Sequence, residues 1–181
     1  MRAIRIALVM LAFSAMVFAQ QDKSKRPSPP GTAQVTLNGK NISVDYSRPR
    51  MRDPQSGQPR KIFGGVVPYG EVWRAGANEA TTLKTDADLD VNGTSVPAGT
   101  YTLFVLPEQN KWTLIISKKT GEWGIPYPGE QNDLARVPMN VTQTSQTADP
   151  FTISLDKRGN NQAELSMAWE NTRASVPIKT K

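Results

Sequence analysis

The stretch "AQVTLNGKNISVDY", residues 33–46, predicts a β-hairpin. Two segments rich in strand-forming residues flank Asn38 and Gly39, and both of these residue types tolerate the positive φ angles of a type I′ turn. An Asn-Gly pair in this setting is a strong short-range signal for antiparallel pairing. The domain is therefore expected to begin as β structure.

Strand-like segments continue to the end of the chain. They alternate with turn sequences such as "NGTSVPAG" and "KRGNN". Phe151, Ile153 and Leu155 alternate with polar residues, which is typical of a half-buried strand. After the hairpin, the predicted strands are "ATTLKT", "DLDV", "TYTLFVL", "KWTLIIS", "ARVPMNV", "FTISLD", "QAELSMAW" and "ASVPIK". This makes about ten short strands, so residues 33–181 are expected to form an all-β, single-domain antiparallel β-sandwich with long irregular loops.

The first residues have the pattern of a signal peptide. Arg2 and Arg5 precede an apolar run, and cleavage is expected before Gln20, which assigns residues 1–19 to the signal. The run is shorter than the roughly 20 residues of a membrane span, and the absence of Cys excludes a lipid anchor. We expect export to the periplasm or beyond, no stable membrane anchor after cleavage, and a disordered, proline-rich leader over residues 20–32.

The composition removes several classes of chemistry. The chain has no His and no Cys, which excludes Ser-His-Asp triads, Cys nucleophiles and metal sites built on these residues. It also lacks G-x-S-x-G and a Gly-rich phosphate loop. The acidic "DADLD" segment lacks the Gly and the terminal Glu of a calcium loop. No metal, cofactor or recognised catalytic motif is therefore expected.

Positive charge is concentrated in flexible-looking segments. The formal net charge is +6, and removing Arg2 and Arg5 leaves +4. Much of the excess lies in the leader and in residues 47–61, "SRPRMRDPQSGQPRK", which we call the basic loop. An exported protein seldom meets nucleic acid, so none is expected as a partner. Acidic glycans, anionic lipid headgroups and plain solvation stay open as explanations of this charge.

The stretch "EVWRAGANEATT", residues 71–82, concentrates polar and charged groups beside an aromatic ring. One interpretation is structural: Trp73 fills the core, and Arg74 pairs with Glu79 or with Asp133. A hydrogen-bonded network of this kind can hold a loop in one shape.

The second interpretation is a binding site for a small anionic molecule or a glycan. Arg74 presents a planar fork to a carboxylate, phosphate or sulfate, while Asn78 and Glu79 offer hydrogen bonds to hydroxyl groups. Trp123 or Tyr127 would supply a flat face for a sugar ring or an acyl chain. These two aromatic residues lie in the irregular segment 118–135, where they act either as a lid or as a hydrophobic plug.

Two further classes of function stay open. A carboxylate-dependent hydrolase acting on sugars would use Glu79 and Asp133 as its pair. A structural or envelope-assembly module would instead present its loops to another protein, whose identity the sequence does not indicate. The enzymatic alternative has the weaker support, because no motif fixes the separation of the two carboxylates.

Several segments together resemble the DUF2911 family of exported bacterial proteins of unknown function. They are "YSRPR" (46–50), "KIFGGVVPYGEVWRAGANEATTL" (61–83), "GTYTLFVLPEQNKWTLIIS" (99–117), "EWG" (122–124), "DLARV" (133–137) and "LSMAWENTRASVPI" (165–178). The resemblance covers the mature chain and marks Arg48 and Arg136 as further candidate ligand-binding residues. The insert "RMRDPQSGQPRK" is longer than the family pattern. The resemblance implies the location and supplies no activity.

Overall fold

The structure is a computed structural model that describes residues 22–181, so the predicted signal segment lies outside the described residues. Two short 3-10 turns cover Lys23–Lys25 and Glu130–Asn132. Nine strands follow the chain in the order β1 (Pro30–Leu37), β2 (Lys40–Ser47), β3 (Thr82–Thr85), β4 (Leu89–Val91), β5 (Thr94–Val96), β6 (Gly99–Pro107), β7 (Trp112–Ser117), β8 (Asp133–Lys157) and β9 (Gln162–Thr180). Over residues 22–181, no helix has the length and apolar character needed to cross a bilayer.

The strands form one open, antiparallel sheet that folds over itself. Its order is β1-β2-β3-β6-β7-β8-β9-β4-β5. The long strand β8 pairs with β7 through its first residues and with β9 from Asn140 onward, so it carries the sheet from one half into the other. Apolar side chains from both halves line the same interior space, among them Leu83, Leu103, Leu114, Leu89, Leu155 and Leu165. This arrangement confirms the antiparallel all-β prediction.

The hairpin predicted at Asn38-Gly39 is present. Leu37 pairs with Lys40, and the two turn residues have φ angles of 48° and 75°, which match a type I′ turn. However, β1 begins at Pro30, three residues before the predicted start of the domain. Residues 30–32 are therefore strand, and the predicted disordered leader is wrong for them.

The strand count differs from the prediction in two ways. Two pairs of predicted strands merge into β8 and β9, because the polar stretch between them also forms backbone pairs, such as Thr142 with Arg173. One short strand was missed: Asn92-Gly93 makes a second turn with positive φ angles, which pairs Val91 with Thr94. Ten predicted strands minus two mergers plus β5 give the nine observed strands.

Two long loops join the strands, residues 48–81 between β2 and β3 and residues 118–132 between β7 and β8, and they meet. The second lies within the irregular segment 118–135 predicted from the sequence. Trp73 exchanges two backbone hydrogen bonds of 2.8 Å with Val105 of β6, which attaches the first segment to the sheet. The backbone N–H of Ala80 donates to the carbonyl oxygen of Glu122 at 3.0 Å. The sheet therefore acts as a fixed support on which the loops build a cleft.

Candidate functional site

A cleft of about 730 Å³ lies between the loops. One wall is residues 22–29, which we call the N-terminal strap; the basic loop and the segment around Trp73 form the others. The lining residues are Ser24, Lys25, Arg26, Pro27, Ser28, Pro29, Pro49, Arg50, Arg52, Asp53, Pro54, Arg60, Val66, Val67, Trp73, Arg74, Gly76, Ala77, Ile125 and Trp169. Six of these side chains are cationic and one is a carboxylate, so the lining carries a formal charge of +5.

The basic loop is held in shape by hydrogen bonds that leave cationic groups at the cleft. Arg60 donates to the carbonyl oxygen of Arg50 at 2.7 Å, and Arg52 donates to that of Gly57 at 2.8 Å. Both guanidinium groups therefore satisfy backbone carbonyl oxygens and keep their positive charge. Within residues 22–181, the exposed side chain of Arg50 makes neither a hydrogen bond nor an ion pair.

Aromatic rings form the floor of the cleft. Trp73 stacks on Trp169 with ring centroids 6.0 Å apart and planes inclined by 20°. The indole N–H of Trp73 donates to the carbonyl oxygen of Gly76 at 3.1 Å. Phe151 and Phe63 pack edge-on against Trp73. Trp73 thus joins the core as predicted and also lines the cleft, because its ring is only partly buried.

Arg74 does not pair with either carboxylate proposed from the sequence. Its guanidinium donates to the carbonyl oxygen of Trp123 at 3.0 Å and lies 5.7 Å from the centroid of that indole ring. Partial burial lowers the pKa of Arg74 from its ordinary value, although the group remains a cation at neutral pH. The predicted pairs with Glu79 and Asp133 are wrong, because cations elsewhere in the chain reach these carboxylates.

Glu79 instead fastens the N-terminal strap. Its carboxylate lies 3.0 Å from the ammonium group of Lys23 and 2.8 Å from the guanidinium of Arg26. A hydrogen bond from its own backbone N–H, with those from Lys23 and Arg26, lowers the pKa of Glu79 to about 2. The carboxylate is consequently ionised at neutral pH and is not suited to donate a proton.

Asn78 also contacts the strap. Its side-chain amide donates to the carbonyl oxygen of Ser28 at 2.9 Å and to the hydroxyl of Ser47 at 3.2 Å. The backbone N–H of Arg48 donates to Pro29 at 2.9 Å. The strap is thus tied to the domain at several points, in contrast to the disordered leader expected from the sequence.

Asp133, Tyr127 and Arg136 form a separate cluster. The hydroxyl of Tyr127 donates to Asp133 at 2.6 Å, and Arg136 donates to the same carboxylate at 2.8 Å. Burial, followed by the hydrogen bond to Asp133, raises the pKa of Tyr127 to about 12. The Tyr127 ring packs edge-on against the fully buried Phe104, so this residue is a plug over the sheet.

The other two candidates differ in their surroundings. Arg48 extends across Gly31, where an added Cβ would come within 2.7 Å of its side chain, and donates to the hydroxyl of Thr152 at 3.4 Å. Its Nε atom is buried without a hydrogen-bond partner among residues 22–181. Trp123 is 54% exposed and covers Arg74, which makes it a lid over that guanidinium.

The two carboxylates of the hydrolase hypothesis belong to different clusters. In the part of the chain that the structure describes, Glu79 and Asp133 have no ion-pair partner in common. Glu79 has a lowered pKa, whereas a glycosidase acid needs a raised one. No group of three or more acidic residues in 22–181 is placed to hold a metal ion.

The cations that the sequence reasoning did not single out are Arg50, Arg52, Arg60, Lys25 and Arg26. The charge of the basic loop was visible in the sequence, but solvation explained it equally well. Nothing local indicates that this loop and the strap face one cleft, because their approach depends on Glu79 and Asn78, about 50 residues from the strap.

Comparison with known proteins identifies the family and nothing more specific. Residues 28–178 match the family model described as "Protein of unknown function (DUF2911)". No curated protein and no solved structure matches the chain. The match covers well over half of the sequence and includes eight of the nine strands in full and β9 up to Ile178. The chain therefore belongs to the DUF2911 family.

Proposed function

We propose that this protein binds a small anionic ligand, such as a phosphate ester, a carboxylate or an acidic glycan, in the cleft between its loops. The observation that carries the proposal is the lining itself: it has six cations, and three of them, Arg50, Arg52 and Arg74, make no ion pair with a carboxylate of residues 22–181. A concave surface lined by one sign of charge concentrates counter-ions and raises their association rate. Binding, rather than catalysis, agrees with the lowered pKa of Glu79 and with its separation from Asp133 into a different cluster.

Individual residues have distinct parts in this proposal. Arg50 has no partner among the described side chains, so an anion does not have to displace another group to reach it. Arg74 is held by Trp123 and offers its remaining N–H groups as a preorganised donor. Trp73 supplies a flat apolar surface beneath them. Asn78 and Glu79 act indirectly, because they hold the strap that forms one wall.

The experiment is calorimetric titration of the mature protein with pyrophosphate, trigalacturonate and neutral maltotriose. We expect the two anions to bind, and their affinity to fall with added salt, since salt screens the charge of the lining. Arg50→Ala should weaken binding by about tenfold or more, because a charge-assisted hydrogen bond contributes about 1.5–3 kcal/mol and about 1.4 kcal/mol corresponds to tenfold. Arg158→Ala is the matched control, because Arg158 is an exposed arginine that pairs with Glu164 outside the cleft.

Two results would contradict the proposal. One is equal binding of maltotriose and the anions, which would mean that charge plays no part in recognition. The other is an equal loss of affinity in Arg50→Ala and Arg158→Ala, which would mean that the anions respond to the overall charge of the protein.

We also propose that the mature protein acts outside the inner membrane. The support is the pattern of residues 1–19, in which two arginines precede an apolar run of signal-peptide length.

A further inference from the structure

The uncharged polar groups of the cleft are few. Among the described residues that line it, Ser24 and Ser28 have the only neutral hydrogen-bonding side chains apart from the indole groups. The rest of the lining is cationic, apolar or glycine, with the single carboxylate of Asp53. The hydroxyl hydrogens of a polyhydroxylated ligand body would find few side-chain acceptors here, because only Asp53 and the two serines can accept, and an unmet donor costs binding free energy. The lining therefore suits an apolar body with a charged end.

Exposed apolar side chains continue this surface out of the cleft. Within residues 22–181, the large exposed hydrophobic side chains are Val66, Tyr69, Trp123 and Ile125, all in the two long loops. Val66 is 44% exposed and Ile125 is 64% exposed, and both line the cleft. Ile125 also lines a shallow groove with Trp123. Ile125 thus joins the cationic cleft to a groove in which the Trp123 ring lies near the ion pair of Lys119 and Glu122.

We propose that the anion bound in the cleft is amphiphilic: a single acyl-like chain that carries a phosphate or carboxylate head. The inference rests on the proposed function and narrows its ligand class. The head lies beside Arg50 and Arg52 and forms charge-assisted hydrogen bonds with their guanidinium groups. The chain lies on Val66 and Ile125 and extends toward Trp123, which removes apolar surface of both partners from water.

Three matched probes separate the head from the chain. Glycerol 3-phosphate has the head alone, 1-lauroyl-glycerol has the chain alone, and 1-lauroyl-glycerol 3-phosphate has both. Each is titrated as a monomer, below its critical micelle concentration. We expect the complete amphiphile to bind at least about tenfold tighter than glycerol 3-phosphate, a gain that burial of only a few methylene groups provides.

Two variants test where the acyl chain of the ligand binds. Ile125→Ser should reduce the tenfold gain to about threefold or less while leaving the affinity for glycerol 3-phosphate unchanged. Tyr69→Ser is the control, because Tyr69 is a large exposed apolar side chain that does not line the cleft. Both side chains are at least 40% exposed, so neither substitution disturbs the core.

The outcomes distinguish the two proposals. If none of the phosphates binds, the proposed anion-binding function fails. If glycerol 3-phosphate binds in an Arg50-dependent way but the lauroyl chain adds less than about twofold, only the amphiphile inference fails. If Ile125→Ser and Tyr69→Ser reduce the affinity gain from the lauroyl chain equally, the inference is also overturned. So does binding to phosphatidylglycerol vesicles without binding to the monomeric amphiphile, which would indicate a membrane surface as the partner.

Discussion

Replacing Glu79 by Gln tests how the N-terminal strap is held. The substitution keeps the shape of the side chain and removes the negative charge that Lys23 and Arg26 share. Both cations then lose their partner, and the strap loses its main electrostatic attachment. The hydrogen bond from Asn78 to Ser28 remains, so partial rather than complete release is expected.

The expected loss of stability follows from the lowered pKa of Glu79. A change from 4.5 to about 2 corresponds to roughly 3.4 kcal/mol at about 1.36 kcal/mol per pKa unit. The Glu79 side chain is 41% exposed, however, and screening by solvent reduces exposed pairs to about 1 kcal/mol or less each. With two partners, we expect a loss of about 1–1.5 kcal/mol, which lowers Tm by about 2–5 °C for a chain of this size.

The effect must depend on pH in one direction. Because the folded-state pKa of Glu79 is lowered, its contribution is fully present above the unfolded value of 4.5 and is lost as pH falls through about 2. The Tm difference between the native protein and Glu79→Gln should therefore be constant from neutral pH to about 5 and shrink between about pH 4.5 and 2.

The assay is thermal unfolding followed by circular dichroism across this pH range. Glu108→Gln is the matched control, because Glu108 is exposed and makes no ion pair within residues 22–181. Limited digestion with trypsin supplies an independent readout, since a released strap is cut faster after Lys23 and Lys25. A Tm for Glu79→Gln equal to that of the control at pH 7, or a difference that persists unchanged at pH 2, would show that the charge of Glu79 does not hold the strap.

Three further predictions concern other parts of the chain. Tyr127→Phe should lower the free energy of unfolding by about 1–2 kcal/mol, because it removes the hydroxyl that hydrogen-bonds with Asp133 and Arg136. Urea unfolding should show no such loss for Tyr69→Phe, whose hydroxyl has no partner in the described chain. Gly39→Ala should lower the free energy of unfolding by about 1 kcal/mol because the φ angle of Gly39 is 75°. No atom lies within 4 Å of an added Cβ, so this loss is purely conformational. Gly159→Ala is the control: Gly159 has no positive φ, and the variant should unfold like the native protein. Intact-mass measurement of the protein isolated from its host should give a chain that begins at Gln20; a mass that includes residues 1–19 would contradict the predicted cleavage.

Local signals predicted the fold well where the chain turns tightly. Asn38-Gly39 sets the register of β1 and β2 through its own backbone geometry, so neighbouring residues suffice to identify it. The pairing of Thr142 with Arg173 had no such signal, because both side chains are polar and this stretch therefore lacks an apolar alternation. For that reason the sequence did not predict that the shorter strands merge into β8 and β9.

Of the candidate ligand-binding residues named from the sequence, Arg74 alone lines the cleft, and the side-chain pairings of the others were not predictable. Arg74 and Glu79 are close in sequence, which suggested an ion pair, yet Arg26 reaches Glu79 from 53 positions away. Asp133 and Arg136 are three residues apart and do pair, because one strand start brings them together. Contacts between distant loops depend on how the whole sheet folds, and no short motif encodes that.

Soaking crystals in sodium tungstate and locating the heavy anion tests whether the cleft binds anions. We expect strong anomalous density in the cleft, within hydrogen-bonding distance of Arg50 and at least one other arginine of the lining, and its loss in Arg50→Ala. Tungstate found only at surface cations outside the cleft, such as Arg158, would contradict the assignment of this cleft as an anion-binding site.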